Sequence, residues 1–450
     1  MTTMQRTLII LLATALLLCL ILFPSFAWHP LNDTGIQFCG EAIEGNNDPC
    51  IGKEPWGQDA HYGRDAQAKA GRLTKVGAGA AGFDFTKISN IGHELPASAQ
   101  LGINRFDWAC TMDNVTGIMW EVKVNDVNHL RHKDHTYFWY FTKSPDGNPG
   151  YQGYTATTCN HTLGGDYCNT ERYIARVNLA GLCGYNDWRL PTIKELESIA
   201  HHEQYDPAVD KDYYPNTSNS TFWSISPNAA SSDFAWGVGF SRGETYNDLH
   251  RGNHLRVRLA RGGKPFDPQA QADHCMSGIP PANPDSIYDD NENGTLTDTR
   301  TGLTWKRCSE GQTWTGSTCS GSASPFSWAQ ALEHAQSHVY AGHNDWRLPN
   351  VKELRSLVEE CRSKPSINET MFPSTPNSAG SPYFWSASPN ARYANCAWDV
   401  NFKSGYSYYV NRGSFNRSNV RLVRGGNSFY LLPRKVLPGV LLLLLLDDEE

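Results

Sequence analysis

The sequence predicts an α+β protein made of two tandem copies of one unit, each a twisted antiparallel sheet with one or two short helices. Three observations carry this. The phrase "NDWRLP" is written twice, at Asn186–Pro191 and Asn344–Pro349. A helix-start signal follows each copy, and beyond it bulky apolar residues alternate with small or polar ones between Gly and Asn turns. Both copies close on nearly the same words, Val257–Gly263 and Val420–Gly426. A period of about 160 residues is far longer than a solenoid repeat, so the chain is a tandem duplication.

Residues 1–27 read as a secretory signal peptide. Arg6 precedes an apolar run from Leu8 to Phe23, and Ser25-Phe26-Ala27 offers small residues for cleavage. An uncleaved anchor is the alternative; a lipoprotein at Cys19 is disfavoured by the bulky Leu18 before it. Residues 28–100 read as an irregular leader with a small Cys39/Cys50 loop and a hairpin around Ile91-Gly92. The first unit spans 101–263 with an insertion within 121–172, a Pro-rich linker covers 264–285, and the second unit spans 286–426. The tail, 427–450, carries an apolar run of about 11 residues, against the roughly 20 that a spanning helix needs, before the closing acidic Asp447-Asp448-Glu449-Glu450.

Within each unit the elements follow from local chemistry. Thr192-Ile193-Lys194-Glu195 and Asn350-Val351-Lys352-Glu353 each place an N-cap residue three positions before a glutamate, the capping-box signature. A further helix is expected over Ser327–His338, where Trp328, Ala331, Leu332 and Ala335 share a face. Downstream, Phe222–Ala229 matches Phe384–Ala391, and Ala235-Trp236 with Phe240 matches Ala397-Trp398 with Phe402; these read as strands. Arg256 and Arg258 alternate with Val257 and Leu259, as in a half-buried closing strand.

The net charge of −7 supplies no basic field for nucleic acid. Export turns the cysteines into disulfide candidates, and none forms a CxxC metal pair. Spacing suggests Cys39–Cys50, Cys159–Cys168 and Cys308–Cys319 as short loops, with Cys110–Cys183 and Cys361–Cys396 as longer staples. Cys275 is left over.

No catalytic set emerges. Gly239–Gly243 matches the GxSxG pattern, but it lies between antiparallel strands rather than at a strand-to-helix elbow, and reads as a β-turn. His129, His132 and His135 could cluster on zinc, yet they lie in a polar insertion and read as solvated loop histidines. His201 and His202 read as helix-terminal charge partners. Asp289, Asn291 and Asn293, followed by Gly294, begin like a calcium loop, but Arg300 stands at the twelfth position. An Asn-Gly hairpin is the stronger reading there, with Ca2+ the alternative. In the repeated phrase, Asp187, Trp188 and Arg189, with Asp345, Trp346 and Arg347, read as structural: core filling plus an arginine for a nearby carboxylate, Glu195 or Glu353.

The loops late in each copy carry the binding signal. Tyr406, Tyr408, Tyr409, Asn411 and Asn416, with Tyr246, Asn247 and Asn253, have the composition that paratopes use for rigid aromatic area and adaptable hydrogen bonds. Ordinary β-turn composition is the plain alternative. The expected partner is a glycan or a protein surface ligand; membrane contact is expected only through the signal sequence or the tail.

The phrases Thr301–Trp305, Gly342–Glu359, Phe372–Ser378, Tyr383–Ala391, Cys396–Tyr409 and Val420–Gly426 resemble domain of unknown function 1566, the C-terminal domain of the Legionella collagen-like adhesin. The resemblance covers most of Asp289–Gly426 and, with an insertion, Phe106–Gly263; Cys39–Cys50 and Gly57–Ala66 resemble lead-in segments of such proteins. It implies a C-type-lectin-like fold, shared with formylglycine-generating-type domains, whose "RLPT" phrase is similar to Arg189–Thr192. It also implies adhesion, since the adhesin binds sulfated glycosaminoglycans, and a secreted, periplasmic or cell-surface location in a bacterium. Lectin-fold relatives diversify the segment equivalent to Asn401–Asn419. The sequence departs from the adhesin in having no Gly-X-Y stalk, so trimerisation is not implied. Its cysteines do not match a formylglycine-type catalytic pair, so non-catalytic binding is expected, with an envelope enzyme or structural envelope component as alternatives.

Overall fold

The computed structural model describes residues 31–154, 158–159, 161–164, 167–263, 275–377, 382–413 and 415–426. The expected signal peptide, part of the linker and the tail lie outside them. The chain opens with β1 (Cys39–Gly40), β2 (Asn46–Asn47) and helix α1 (Gly63–Lys69), then the hairpin β3 (Phe85–Ser89) and β4 (Glu94–Leu95). Next come β5 (Trp108–Asp113), β6 (Ile118–Glu121), α2 (Thr170–Ala180), α3 (Ile193–Ser198), β7 (Thr221–Pro227), β8 (Phe234–Gly239), β9 (Glu244–His250) and β10 (Ala260–Gly262). The second unit holds β11 (Tyr288–Asp290), β12 (Thr295–Asp298), β13 (Leu303–Lys306), β14 (Thr313–Trp314), β15 (Cys319–Ser320), α4 (Trp328–Ser337) and α5 (Val351–Ser356). It ends with β16 (Tyr383–Pro389), β17 (Cys396–Asn401), β18 (Ser407–Asn411) and β19 (Val423–Gly425).

The two units repeat one antiparallel plan. A sheet ordered β10-β6-β5-β3-β4 in the first corresponds to β19-β13-β12-β11 in the second, and β7-β8-β9 corresponds to β16-β17-β18. Trp120 stands opposite Ala260 as Trp305 stands opposite Val423, and both tryptophans are fully buried. This order corrects the expected leader. β3 lies inside the first sheet between β5 and β4, in the place β11 holds in the second unit. Phe83, Phe85 and Ile88 anchor it by burial, so residues 85–89 belong to the body of the fold. The expected closing strand is also corrected: only Ala260–Gly262 is strand, and Arg258 is fully buried, donating to Glu121 O (3.0 Å) and Thr217 Oγ1 (2.6 Å).

The repeated phrase works as a latch. Arg189 clamps Glu195 with two bonds of 2.7 Å, and Glu195 Oε2 also accepts from Thr192 N (2.8 Å), closing the capping box of α3. Arg347 clamps Glu353 at 2.6 Å twice, and Glu353 caps α5 through Asn350 N (2.9 Å). The same guanidinium groups donate to Gly262 O (2.9 Å) and Gly425 O (3.4 Å), tying each capped helix to its closing strand. Asp187 and Asp345 pair with Arg261 and Arg424, both at 2.7 Å. Trp188 and Trp346 are buried, their indole N–H groups on Leu182 O and Tyr340 O.

The units meet across a pseudo-two-fold seam. Lys194 of α3 donates to Ser356 O at the end of α5 (3.0 Å); Lys352 of α5 donates to Ser198 O at the end of α3 (2.9 Å). These are equivalent residues exchanged, the geometry of an isologous interface within one chain. Trp236 lies under Arg355 (5.0 Å), and Trp398 meets His202 edge-on (4.7 Å). The leader fills the remaining gap: Asp33 accepts from Asn350 Nδ2 (3.0 Å), and Asp59 accepts from Ser388 Oγ (2.6 Å).

Five disulfides staple the described residues: Cys39–Cys50, Cys110–Cys183, Cys159–Cys168, Cys275–Cys361 and Cys308–Cys319. The expected Cys361–Cys396 pair is corrected. Cys361 follows α5 and meets Cys275 of the linker, while Cys396 begins β17 as a free thiol.

Two outcomes test this architecture. Removing one partner of a buried ion pair costs about 3–5 kcal/mol, so Arg347→Ala, with its side chain 6% exposed, should lower urea-unfolding stability by about that much. Arg189→Ala, at 23% exposure, should lower it less. Non-reducing peptide mapping after alkylation should recover a 275–361 cross-link and an alkylated Cys396; a 361–396 cross-link would contradict the pairing.

Candidate functional site

The candidate site forms where the last hairpins of the two units face each other. β9 and β18 are equivalent strands, and their polar edges join directly. Thr245 Oγ1 lies 3.0 Å from Ser407 Oγ, Ser407 N donates to Thr245 Oγ1 (2.7 Å), and Asn247 Nδ2 donates to Ser404 O (2.8 Å). Arg242, in the turn between β8 and β9, crosses the seam to the Tyr409 hydroxyl and is held from behind by Glu244 (2.8 Å).

Outside this seam runs a ridge of rings and guanidinium groups contributed by both units. Tyr409 stacks on Tyr408 (4.6 Å, 14°) on one side and on Tyr393 (5.1 Å, 25°) on the other. Arg242 lies 5.4 Å from the Tyr393 ring and 5.6 Å from Tyr409. Arg392 lies 5.5 Å from Tyr205 and 5.9 Å from Tyr393, and pairs with Asp206. Tyr205 and Tyr408 remain 46% and 42% exposed, so the ends of the ridge face solvent. Burial and the Tyr408 hydroxyl hold the Tyr409 phenol above its ordinary range, so it stays protonated.

The structure separates the residues put forward from sequence. Tyr408 and Tyr409 lie on the ridge. Tyr246 packs over Gly239, where a Cβ would stand 2.8 Å from its ring. Tyr406 is turned inward: its hydroxyl lies 3.3 Å from that of Tyr383, and its ring packs against the core of the first unit. Asn247 is likewise engaged, donating to Ser404 O and accepting from Asn228. Asn411 and Asn416 brace their own loop, with Asn416 Nδ2 on Asn411 O (3.0 Å). Asn253 is exposed in the turn after β9, its N–H on His250 O. Tyr205, Arg242, Arg392 and Tyr393 were not read as site residues, because Tyr205 and Arg242 of the first unit meet the loop of Arg392 and Tyr393 only across the seam.

The remaining candidates resolve as follows. Ser241 lies in the β8–β9 turn with no helix behind it. Asp289, Asn291 and Asn293 belong to the β11–β12 hairpin; Asn291 Nδ2 donates to Thr295 Oγ1 (2.9 Å), and Asn293 Oδ1 accepts from Thr295 Oγ1 (2.6 Å). The histidine run is not solvated throughout: His135 is buried, pushed down to about 4 by burial and nearby positive charge. His201 and His202 are corrected too. Both are buried in the seam, with burial first and Lys352 second holding His201 down to about 3 and His202 well below its usual range, so neither acts as a helix-end cation.

Fold and site together define a tandem-domain α+β protein with a composite aromatic–cationic surface at its internal seam. The chain belongs to the Lcl C-terminal domain family, whose model matches residues 109–261 and 294–424. No curated protein and no solved structure matches the chain.

The seam makes stability depend on pH. Burial pushes Asp59 up to about 8, with the Asp33 charge second; burial also raises Asp33, and raises Asp65 well above the carboxylate range. Burial pushes Glu197 up to about 7. Each group takes up its proton at a higher pH in the folded chain than in the unfolded chain, which titrates near the ordinary pKa. Their stabilisation is thus full below about pH 4 and is lost as pH rises toward about 8. Lys194 and Lys352, pushed down to about 8 by burial, oppose this trend above that value. His135, His201 and His202, held down by burial, oppose it below about pH 6.5 without reversing it at about pH 5.5. The thermal midpoint should therefore be higher near about pH 5.5 than near about pH 8. Asp59→Asn should flatten the difference, because Asp59 Oδ2 accepts from two rotatable hydroxyls, Thr34 Oγ1 and Ser388 Oγ. Scanning calorimetry at constant ionic strength reads it; an unchanged pH slope in the variant would count against it.

Proposed function

We propose that this chain is an exported bacterial adhesin-like surface protein that binds an anionic glycan, without catalysis, on the ridge formed by Tyr205, Arg242, Arg392, Tyr393, Tyr408 and Tyr409. The observation that carries this reading is the three-ring stack of Tyr408, Tyr409 and Tyr393 flanked by two arginines from different units. Tyrosine faces suit the CH faces of sugar rings while their hydroxyls hydrogen-bond. Guanidinium groups grip sulfate or carboxylate through paired N–H donors. Stacking orders these rings in advance, which lowers the entropic cost of binding.

Family membership supports the adhesin-like class and, with the α+β units, a C-type-lectin-like reading of the fold. The five disulfides support an oxidising location outside the cytosol, either periplasmic, secreted or on the surface.

An array of sulfated and unsulfated glycans, read at two salt concentrations, tests the proposal. Arg392→Ala and Tyr408→Ala should each weaken binding of sulfated members about tenfold, roughly 1.4 kcal/mol, and leave the thermal midpoint nearly unchanged. Rising salt should weaken it further. Equal binding by wild type and the double variant would sink the assignment.

A further inference from the structure

A second cluster lies in the second unit, remote in sequence from the ridge hairpins. His334 lies in the last turn of helix α4 and His338 caps its C-terminus one turn further on, so the two rings lie close together, 5.1 Å apart. Glu310 approaches them from the segment after β13, its backbone fixed by Glu310 N on Val420 O (2.9 Å) and by Ser324 N on Glu310 O (2.8 Å). Glu310 Oε2 is 2.7 Å from His334 Nε2 and 3.7 Å from His338 Nδ1. The three converging ligand atoms all lie within 4.8 Å of one another.

We propose that Glu310, His334 and His338 form a binding site for a divalent transition-metal ion, with Zn2+ the best fit. Two ligands about 2.0–2.1 Å from zinc at a tetrahedral angle stand about 3.3 Å apart. The observed separations of 2.7 and 3.7 Å straddle that spacing, so small side-chain rotations suffice. Two imidazoles and one carboxylate suit zinc and its neighbours rather than calcium, which takes oxygen. His334 is 32% exposed, which leaves an approach and an open fourth position on the solvent side. Phe326 against His334 (4.9 Å) and Tyr340 stacked on His338 (6.2 Å) wall the other sides.

Lys306 bears on the same two groups but through their other atoms, donating to Glu310 Oε1 (2.5 Å) and to His338 Nε2 (2.9 Å). A metal on His338 Nδ1 leaves the proton on Nε2, so Lys306 turns wholly to Glu310 Oε1. Lys306 thus orients the carboxylate and competes modestly for the site.

The other clusters of suitable residues among those described do not offer the same chemistry. Two of them use cysteines already joined in disulfides, Cys39–Cys50 and Cys275–Cys361. In the third, Asp33 and Asp65 accept from backbone N–H groups and Asp59 from hydroxyls. The first unit has no counterpart, since the helix positions equivalent to His334 and His338 are Arg176 and Ala180.

Titration of the full, metal-stripped chain with Co2+ tests the site. Wild type should develop a saturable visible absorption at one ion per chain, displaced by Zn2+, and Zn2+ should raise its thermal midpoint. His334→Ala, His338→Ala and Glu310→Gln should each weaken binding by at least about tenfold, each checked for folding by its metal-free unfolding curve. His132→Ala with His161→Ala, which removes the neighbouring rings of the other histidine group, should leave binding intact. Absence of saturable Co2+ binding overturns the proposal, as does unchanged binding in a folded His334→Ala/His338→Ala double variant.

Discussion

The structure depends first on a bidentate arginine–glutamate clamp, made twice. Glu195 and Glu353 each satisfy a guanidinium fork and a helix N-terminal N–H with the same carboxylate. A side chain that does both fixes the helix against the closing strand in angle as well as position, because paired N–H···O bonds are directional. That orientation aims Lys194 and Lys352 across the seam to the opposite helix end. There each ammonium meets carbonyls left unpaired by helix termination, at the negative end of the helix dipole. Without the clamp the lysines lose their aim, and with them the pairing of the units.

Much of this was legible in the sequence because it rests on short-range chemistry. The capping box needs only residues three apart, and the tryptophan and leucine of "NDWRLP" need only a core to fill. Helix α4 runs from Trp328 to Ser337 with Ser327 as its cap, within the range its periodicity marks. What escaped depends on contacts distant in sequence. β3 reads as irregular because its alternation is broken by Lys87, which the folded chain buries beneath Trp108 and Tyr213 through cation–π contact. Helix α2 starts inside the insertion of the first copy, where no repeat guides the eye. Cys275 and Cys396 are separated from Cys361 by 86 and 35 positions, and loop-closure entropy grows too slowly with length to choose between them.

The site shows the same division. Composition pointed to the hairpin that carries Tyr408 and Tyr409, two rings of the ridge. It could not tell which tyrosines face outward: Tyr406, just before β18, packs on the core of the first unit, whereas Tyr408, two residues on, is exposed. A strand inside a seam has a partner on both faces, so period two no longer separates core from solvent. The arginines were invisible for a related reason. Arg242 and Arg392 acquire meaning only through rings supplied by the other unit or by a separate loop.

Duplication explains where new chemistry can arise. Residues serving both the latch and the seam are held in step, because a change in one copy breaks a contact made by the other. Beneath the first helix of each unit the constraint is local, and the copies have diverged. Glu121 and Lys306 occupy equivalent places directly after Trp120 and Trp305. In the first unit Tyr173 closes over Glu121 together with Lys123, a fully buried and satisfied network. In the second, Ala331 stands where Tyr173 would, and the space beside Lys306 is taken by Glu310, His334 of the helix and His338 at its end. One small side chain in place of a large one thus turns a sealed ion pair into a cluster within reach of solvent, at a position that the seam does not police.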